Sequence, residues 1–299
     1  MEEKIPIPDS NLTWSLKDQT LTISGTGAMP DYAGYAAPWN WCRHLIIEEG
    51  VTTIGAYAFH ECPSLTSIHI PNSVTEIGTG AFSHCSNLKS IHIPNSVTEI
   101  GNSAFWYCNG LTSVCIPNSV TEIGNFAFSH CCNLTSVCIP NSVTRIGANA
   151  FYDTGITSIH IPNSVIIIEN GAFSDCCSLK SIHIPNSVAA IKYYAFNGCE
   201  SLKSIRIPNS VIAIGDGAFD KCKNLRNVSI RAIVPPFLHK RAFDFKLNTN
   251  RMLIKVPHQS VEAYKTAKVW RKFRKIVGRD YYKEEAPLPD EVLSATCIR

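Results

Sequence analysis

The stretch Val74-Thr75-Glu76-Ile77-Gly78-Thr79-Gly80-Ala81-Phe82-Ser83-His84-Cys85 decides how the chain is read. Its opening block recurs at Val97 and Val120 with little change. Further copies begin at Val51, Val143, Val165, Val188 and Val211. The spacing is 23 residues except in the copy starting at Val143, which is one residue short around Tyr152-Asp153-Thr154-Gly155-Ile156. Eight copies therefore run from Val51 to about Ile230. A fixed period of this length marks stacked supersecondary units.

Within a copy the apolar residues do not keep a helical period. Leu65-Thr66-Ser67-Ile68-His69-Ile70 alternates, with Ile68 and Ile70 on one face and His69 on the other, and predicts a strand. Val74-Thr75-Glu76-Ile77 predicts a second strand. Pro71-Asn72-Ser73 between them predicts a turn. Gly78 is expected to free the backbone before a short turn or single helical turn at Ala81-Phe82. One unit cannot bury its own Leu, Ile, Val and Phe, but stacked units can. The expected fold is an α/β-type repeat solenoid, mostly β, with about eight rungs at ~4.8 Å spacing.

The ends of such a rod need caps. Residues 1–50 are expected to form the N-terminal cap, with strands at Leu21–Gly27 and Leu45–Ile47 and with Trp14, Trp39 and Trp41. The repeats occupy 51–231. A degenerate ninth unit and a C-terminal cap fill 232–278, retaining Ala242-Phe243 and Val256-Pro257. There Ser260 is expected to cap a helix bearing Tyr264, Ala267, Trp270, Phe273 and Val277 at three- to four-residue spacing. The polar tail 279–299 is expected to be loosely held.

Residues 65–85 resemble the BspA-type leucine-rich repeat. Leu12-Thr13-Trp14-Ser15-Leu16, Ser24–Tyr32 and Ala37-Pro38-Trp39 are similar to the opening segment of bacterial members. Val256-Pro257, Ser260–Lys265 and Trp270 are similar to their closing segment. The resemblance covers about residues 11 to 277. It implies a leucine-rich-repeat fold and a surface or secreted binding protein, often an adhesin of host-associated organisms, with no catalytic residues and no cofactor.

In a solenoid, equivalent positions become stripes. The outward strand position reads His69, His92, Cys115, Cys138, His160, His183 and Arg206. The Ser column beside it runs Ser67, Ser90, Ser113, Ser136, Ser158, Ser181 and Ser204. Together these form the candidate binding face for a protein ligand, with a host or matrix protein as the expected partner. Imidazole and thiolate are also metal ligands, but a flat ladder offers them from one direction, whereas zinc is bound tetrahedrally. A Cys115–Cys138 disulfide between adjacent strands is a further possibility, and a strained one. Seven cysteines, from Cys62 to Cys222, recur after the Ala-Phe turn, with Thr154 in the short copy. They are expected to be buried free thiols, since free Cys behaves as a small hydrophobe. The odd total of thirteen leaves at least one cysteine unpaired within the chain and leans toward a reducing setting.

On the second strand the middle positions change along the rod. Glu76, Glu99 and Glu122 give way to Ile166-Ile167, Ala189-Ala190 and Ile212-Ala213. Ile166, Ile167 and Ile212 form a candidate apolar interface, unless the chain's own tail covers them with Tyr281 and Tyr282.

Composition bounds the rest. With 45% hydrophobic and 17% charged residues the chain is globular rather than disordered. No apolar run approaches the ~20 residues of a membrane span. Met1–Pro8 lacks an apolar stretch of signal-peptide length. A cytoplasmic location and a surface location after removal of a leader both stay open. Net charge is +3, but 240–283 holds thirteen Lys and Arg against Asp244, Glu262 and Asp280, a local surplus of ten. That basic segment suggests a second class of function, a polyanion binder or intracellular scaffold. Repeated like groups on an open face do not make the pocketed, differentiated set that catalysis needs.

Overall fold

In the computed structural model, residues 3–32, 37–243 and 250–281 are described. The chain winds as a mostly-β solenoid of about eleven turns. The first predicted strand is present as Ser67–His69, Ser113–Cys115, Ser136–Cys138, Ser158–His160, Ser181–His183, Ser204–Ile207 and Asn227–Ile230. The second is present as Glu76–Ile77, Glu99–Ile100, Glu122–Ile123 and Arg145–Ile146, then Ile167–Ile168, Ala190–Ile191 and Ala213–Ile214. Neighbouring rungs pair in parallel with equivalent residues opposite, as in Cys115 with Cys138 and Glu76 with Glu99. Equal repeat length keeps the same side chain in the same place on every rung.

More turns form than the eight motif copies predict, because the cap sequences keep the ladder after losing the motif. Thr20–Gly25 and His44–Ile47 pair in parallel and lead into Ser67–His69. At the other end Leu253–Pro257 and Lys275–Arg279 extend the sheet beyond Asn227–Ile230. Leu12–Lys17 folds antiparallel onto Thr20–Gly25. This hairpin closes the N-terminal end, where an open parallel edge would otherwise invite pairing.

The short copy interrupts both sheets. Ser136–Cys138 does not pair with Ser158–His160, and Arg145–Ile146 does not pair with Ile167–Ile168. The missing residue falls between Phe151 and Ile156. Among the described residues, the rung carrying His92 has no assigned first strand.

The core is one continuous column. Phe59, Phe82, Phe105, Phe128, Phe151, Phe173, Phe196, Phe219 and Phe243 are fully buried or nearly so. Their rings stack at about 5 to 5.7 Å, near parallel. Trp39 closes the column at Phe59, and Trp270 with Phe273 closes it at Phe243. The predicted buried cysteines lie beside it. Cys85, Cys108, Cys131, Cys176, Cys199 and Cys222 are free, buried, and donate to the Phe carbonyl of the preceding rung at 3.1–3.2 Å. Burial pushes the Cys176 and Cys222 thiols up to about 12. Thr154 fills the gap, donating to Phe151 O at 3.0 Å.

Two local expectations are corrected. Gly78 does not adopt a left-handed backbone. A Cβ there would lie 2.8 Å from Ala56 N and Ile54 O, so its role is close approach to the preceding rung. Ala81-Phe82 forms the expected short turn. The C-terminal helix spans only Val261–Thr266, and Ser260 gives it no side-chain cap. Trp270–Lys272 is a 3-10 turn, and Val277 lies on the strand Lys275–Arg279 with its side chain exposed. The spacing of Tyr264, Trp270 and Phe273 is set by burial against the last rungs rather than by one helix.

Candidate binding surface

The sequence-predicted face exists as a surface, in separate groups. His69, His92, Cys115, His183 and Arg206 are exposed, and Cys138 and His160 are half-buried. Ser113 and Ser136 are exposed and lie opposite each other in register. Register also joins Cys115 to Cys138, His160 to His183 and Arg206 to Ser229. The breaks in the sheet divide these groups. The His160 and His183 rings stack at 5.6 Å. Burial by surrounding chain holds His183 below the usual imidazole value, helped by the neighbouring charges of His160, Arg206 and Arg231. Ser67 meets His44 Nδ1 at 2.7 Å.

Cys115 is a free thiol, so the Cys115–Cys138 bond does not form. Cys138 is disulfide-bonded. Among the described residues no cluster of three or more His, Cys, Asp or Glu is placed to hold a metal ion.

The second-strand face carries the predicted change of character. Glu76, Glu99 and Glu122 are exposed and stacked in register, and Arg145 ends the ladder 3.5 Å from Glu122. Beyond the short copy, Ile166 is 60% and Ile212 70% exposed, with Ile167 less so. Val234 at 76% and Phe237 at 67% extend the apolar surface, and Ile233 joins them. Phe237 pairs with Ala213 because Phe237–Leu238 adds one more strand to this sheet. The copy pattern has decayed there, so the sequence reading missed these residues. The tail does not cover the patch with Tyr281. Instead Tyr281 Oη lies 3.0 Å from Ser229 Oγ and donates to Lys255 O at 2.9 Å. Its ring sits under Arg231 at 5.8 Å. Tyr282 lies outside the described residues. A groove of about 750 Å³ runs between the two faces, lined by Ile212, Arg231, Ile233, Val234 and Tyr281.

A second stripe was also missed. His84, Tyr107 and His130 stack at 4.8 and 4.2 Å, with Trp106 and Tyr152 edge-on. His130 Nδ1 reaches Asp153 Oδ2 at 2.9 Å. These residues follow the Ala-Phe pair, and His84, Tyr107 and His130 hold left-handed backbone with φ of 62°, 58° and 58°. The varied residue types hid the column, although their shared offset in the repeat would have revealed it.

The winding, the strand–turn–strand rung and the capped ends define a leucine-rich-repeat protein. The chain belongs to the BspA-type leucine-rich-repeat family, whose model matches residues 41–154 and 144–261. The chain is similar to a leucine-rich repeat protein from Bacteroides ovatus, with 24% identity over 85% of this chain and 83% of that one, at a TM-score of 0.58. A leucine rich cell surface protein from Faecalibacterium prausnitzii is 26% identical over 94% and 96%, with a TM-score of 0.53. The leucine-rich repeat protein of T. pallidum is 25% identical over 73% and 90%, with a TM-score of 0.51. No curated protein matches the chain. No catalytic family is indicated. Among the described residues no helix is long and apolar enough to cross a membrane.

Proposed function

We propose that the chain is a non-catalytic protein-binding module that works as a cell-surface or secreted adhesin, engaging a host or matrix protein through the Ser and His face of its first strands. The observation that carries this reading is that face itself. Hydrogen-bonding side chains stand in register on paired strands, with exposed Ser113 opposite exposed Ser136 and half-buried His160 opposite His183. A preorganised face loses little freedom when a partner binds. The surface location is supported by the family and by the Faecalibacterium relative described as a cell surface protein.

A second reading has its own support. Lys265, Lys268, Arg271, Lys272, Arg274 and Lys275 are exposed on the C-terminal cap and suit a polyanion. An array of extracellular-matrix and host surface proteins, probed at low and high salt, tests the two together. Saturable, salt-tolerant binding lost in the double variant His92→Glu/His160→Glu supports the strand face. Binding to heparin or nucleic acid that falls steeply with salt and is lost with the basic cap would replace it.

A further inference from the structure

The second-strand face carries two kinds of side chain at equivalent places. Thr75, Thr98, Thr121 and Thr144 give way to Ile166, Ala189 and Ile212. Beside them Glu76, Glu99, Glu122 and Arg145 give way to Ile167, Ala190, Ala213 and Phe237. The backbone pairs alike in both halves, Glu76 with Glu99 and Ala190 with Ala213. A rung therefore folds with threonine and glutamate there, and its own core does not require an apolar residue at either place.

The apolar half is large enough to be an interface. Ile166, Ile167, Ile212, Ile233, Val234 and Phe237 are all exposed, and together they present roughly 600–700 Å², above the ~300–600 Å² of the largest patch on most monomers. Two such patches laid together bury roughly 1,200–1,400 Å², which reaches the ~1,200–2,000 Å² of stable protein–protein contacts. The relief suits a two-fold contact, in which one patch must supply both sides. Exposed Ile212 and Phe237 project beside the smaller, half-buried Ala189, Ala190 and Ala213.

Charge fixes the direction. The ladder of Glu76, Glu99 and Glu122 precedes the patch along the rod, and the basic cap follows it. The cap lies directly beyond the Phe237 strand, since Trp270 Nε1 donates to Pro236 O at 2.8 Å and Tyr264 Oη to Ala232 O at 2.9 Å. Lys265, Lys268, Arg271, Lys272 and Arg274 are exposed on it. The order is thus acidic, apolar, basic. A second copy laid parallel would set like charges together, whereas an antiparallel copy sets each acidic ladder towards the other's basic cap.

We propose that the second-strand face pairs two copies of this chain antiparallel, apolar patch on apolar patch, with the acidic ladder of each beside the basic cap of the other. Apolar burial supplies the strength, and the charges select the orientation. The Ser and His face lies on the first strands, outside this contact, so the pairing stands apart from the binding reading above.

Sedimentation velocity of the full chain over a concentration series tests it. The expected mass rises to twice that of one chain, with no intermolecular disulfide on non-reducing denaturing gels. Ile212→Thr/Phe237→Glu restores the residue types that earlier rungs carry at those places, so the fold is kept, as an unchanged circular dichroism spectrum should show. Association should weaken by about a hundredfold, because the apolar centre is lost and a charge is buried in its place. Glu99→Lys/Glu122→Lys should weaken it several-fold, and adding Lys268→Glu/Arg271→Glu to the same chain should recover it. A single-chain mass at every concentration would overturn the proposal and leave the patch to a different protein. So would a dimer held by an intermolecular disulfide, or one that survives Ile212→Thr/Phe237→Glu. Association indifferent to the Glu99 and Glu122 reversals, or not recovered by the reversed cap, would overturn the antiparallel arrangement.

Discussion

At the scale of single residues, the fold rests on side chains that repeat in identical surroundings. Phe151 shows this best. It stacks between Phe128 and Phe173 and receives hydrogen bonds at its carbonyl from Thr154 and Cys176. Truncating such a ring removes its burial and leaves a cavity between two rings held by their own rungs. Phe151→Ala is expected to cost about 3–5 kcal/mol in unfolding free energy, measured by urea denaturation. The ring identities were readable because each Phe follows Ala at a fixed offset. The orientation of Tyr281 was not, because nothing local predicts a hydrogen bond to Ser229, 52 residues away.

At the scale of one rung, close approach of backbones governs what the sequence may place. Gly124 has no room for a side chain, since a Cβ would fall 2.6 Å from Asn102 N and from Gly101 C and O. Backbone atoms in a stacked rung do not move aside as a flexible side chain would. Gly124→Ala is therefore expected to destabilise by about 1–3 kcal/mol, read as a lowered midpoint in the same unfolding assay. Strand, turn and strand were legible from alternation and from Pro71-Asn72-Ser73. The reason for the repeated glycine was not legible, because φ and steric room look alike in a sequence. The helix was overextended for a related reason. Apolar residues at three- to four-residue spacing also arise when a short helix, a turn and a strand pack in succession on one core.

At the scale of the molecule, duplication makes two long faces of different character. One presents Ser, His and Cys. The other passes from glutamates to exposed Ile166, Ile212 and Phe237. The sequence showed both stripes, because columns follow from the period alone. It did not show that the short copy splits each sheet, nor how many further turns the caps would add. Those depend on how shifted and diverged rungs meet their neighbours.

The most direct measurement of the central claim is hydroxyl-radical footprinting of the chain with a protein partner found by the array. The account predicts lost oxidation at His69, His92 and Cys115, with Ile166, Ile212 and Phe237 oxidised as in the free chain. Protection confined to Ile166, Ile212 and Phe237, with the His and Cys residues of the first strands unchanged, would contradict it.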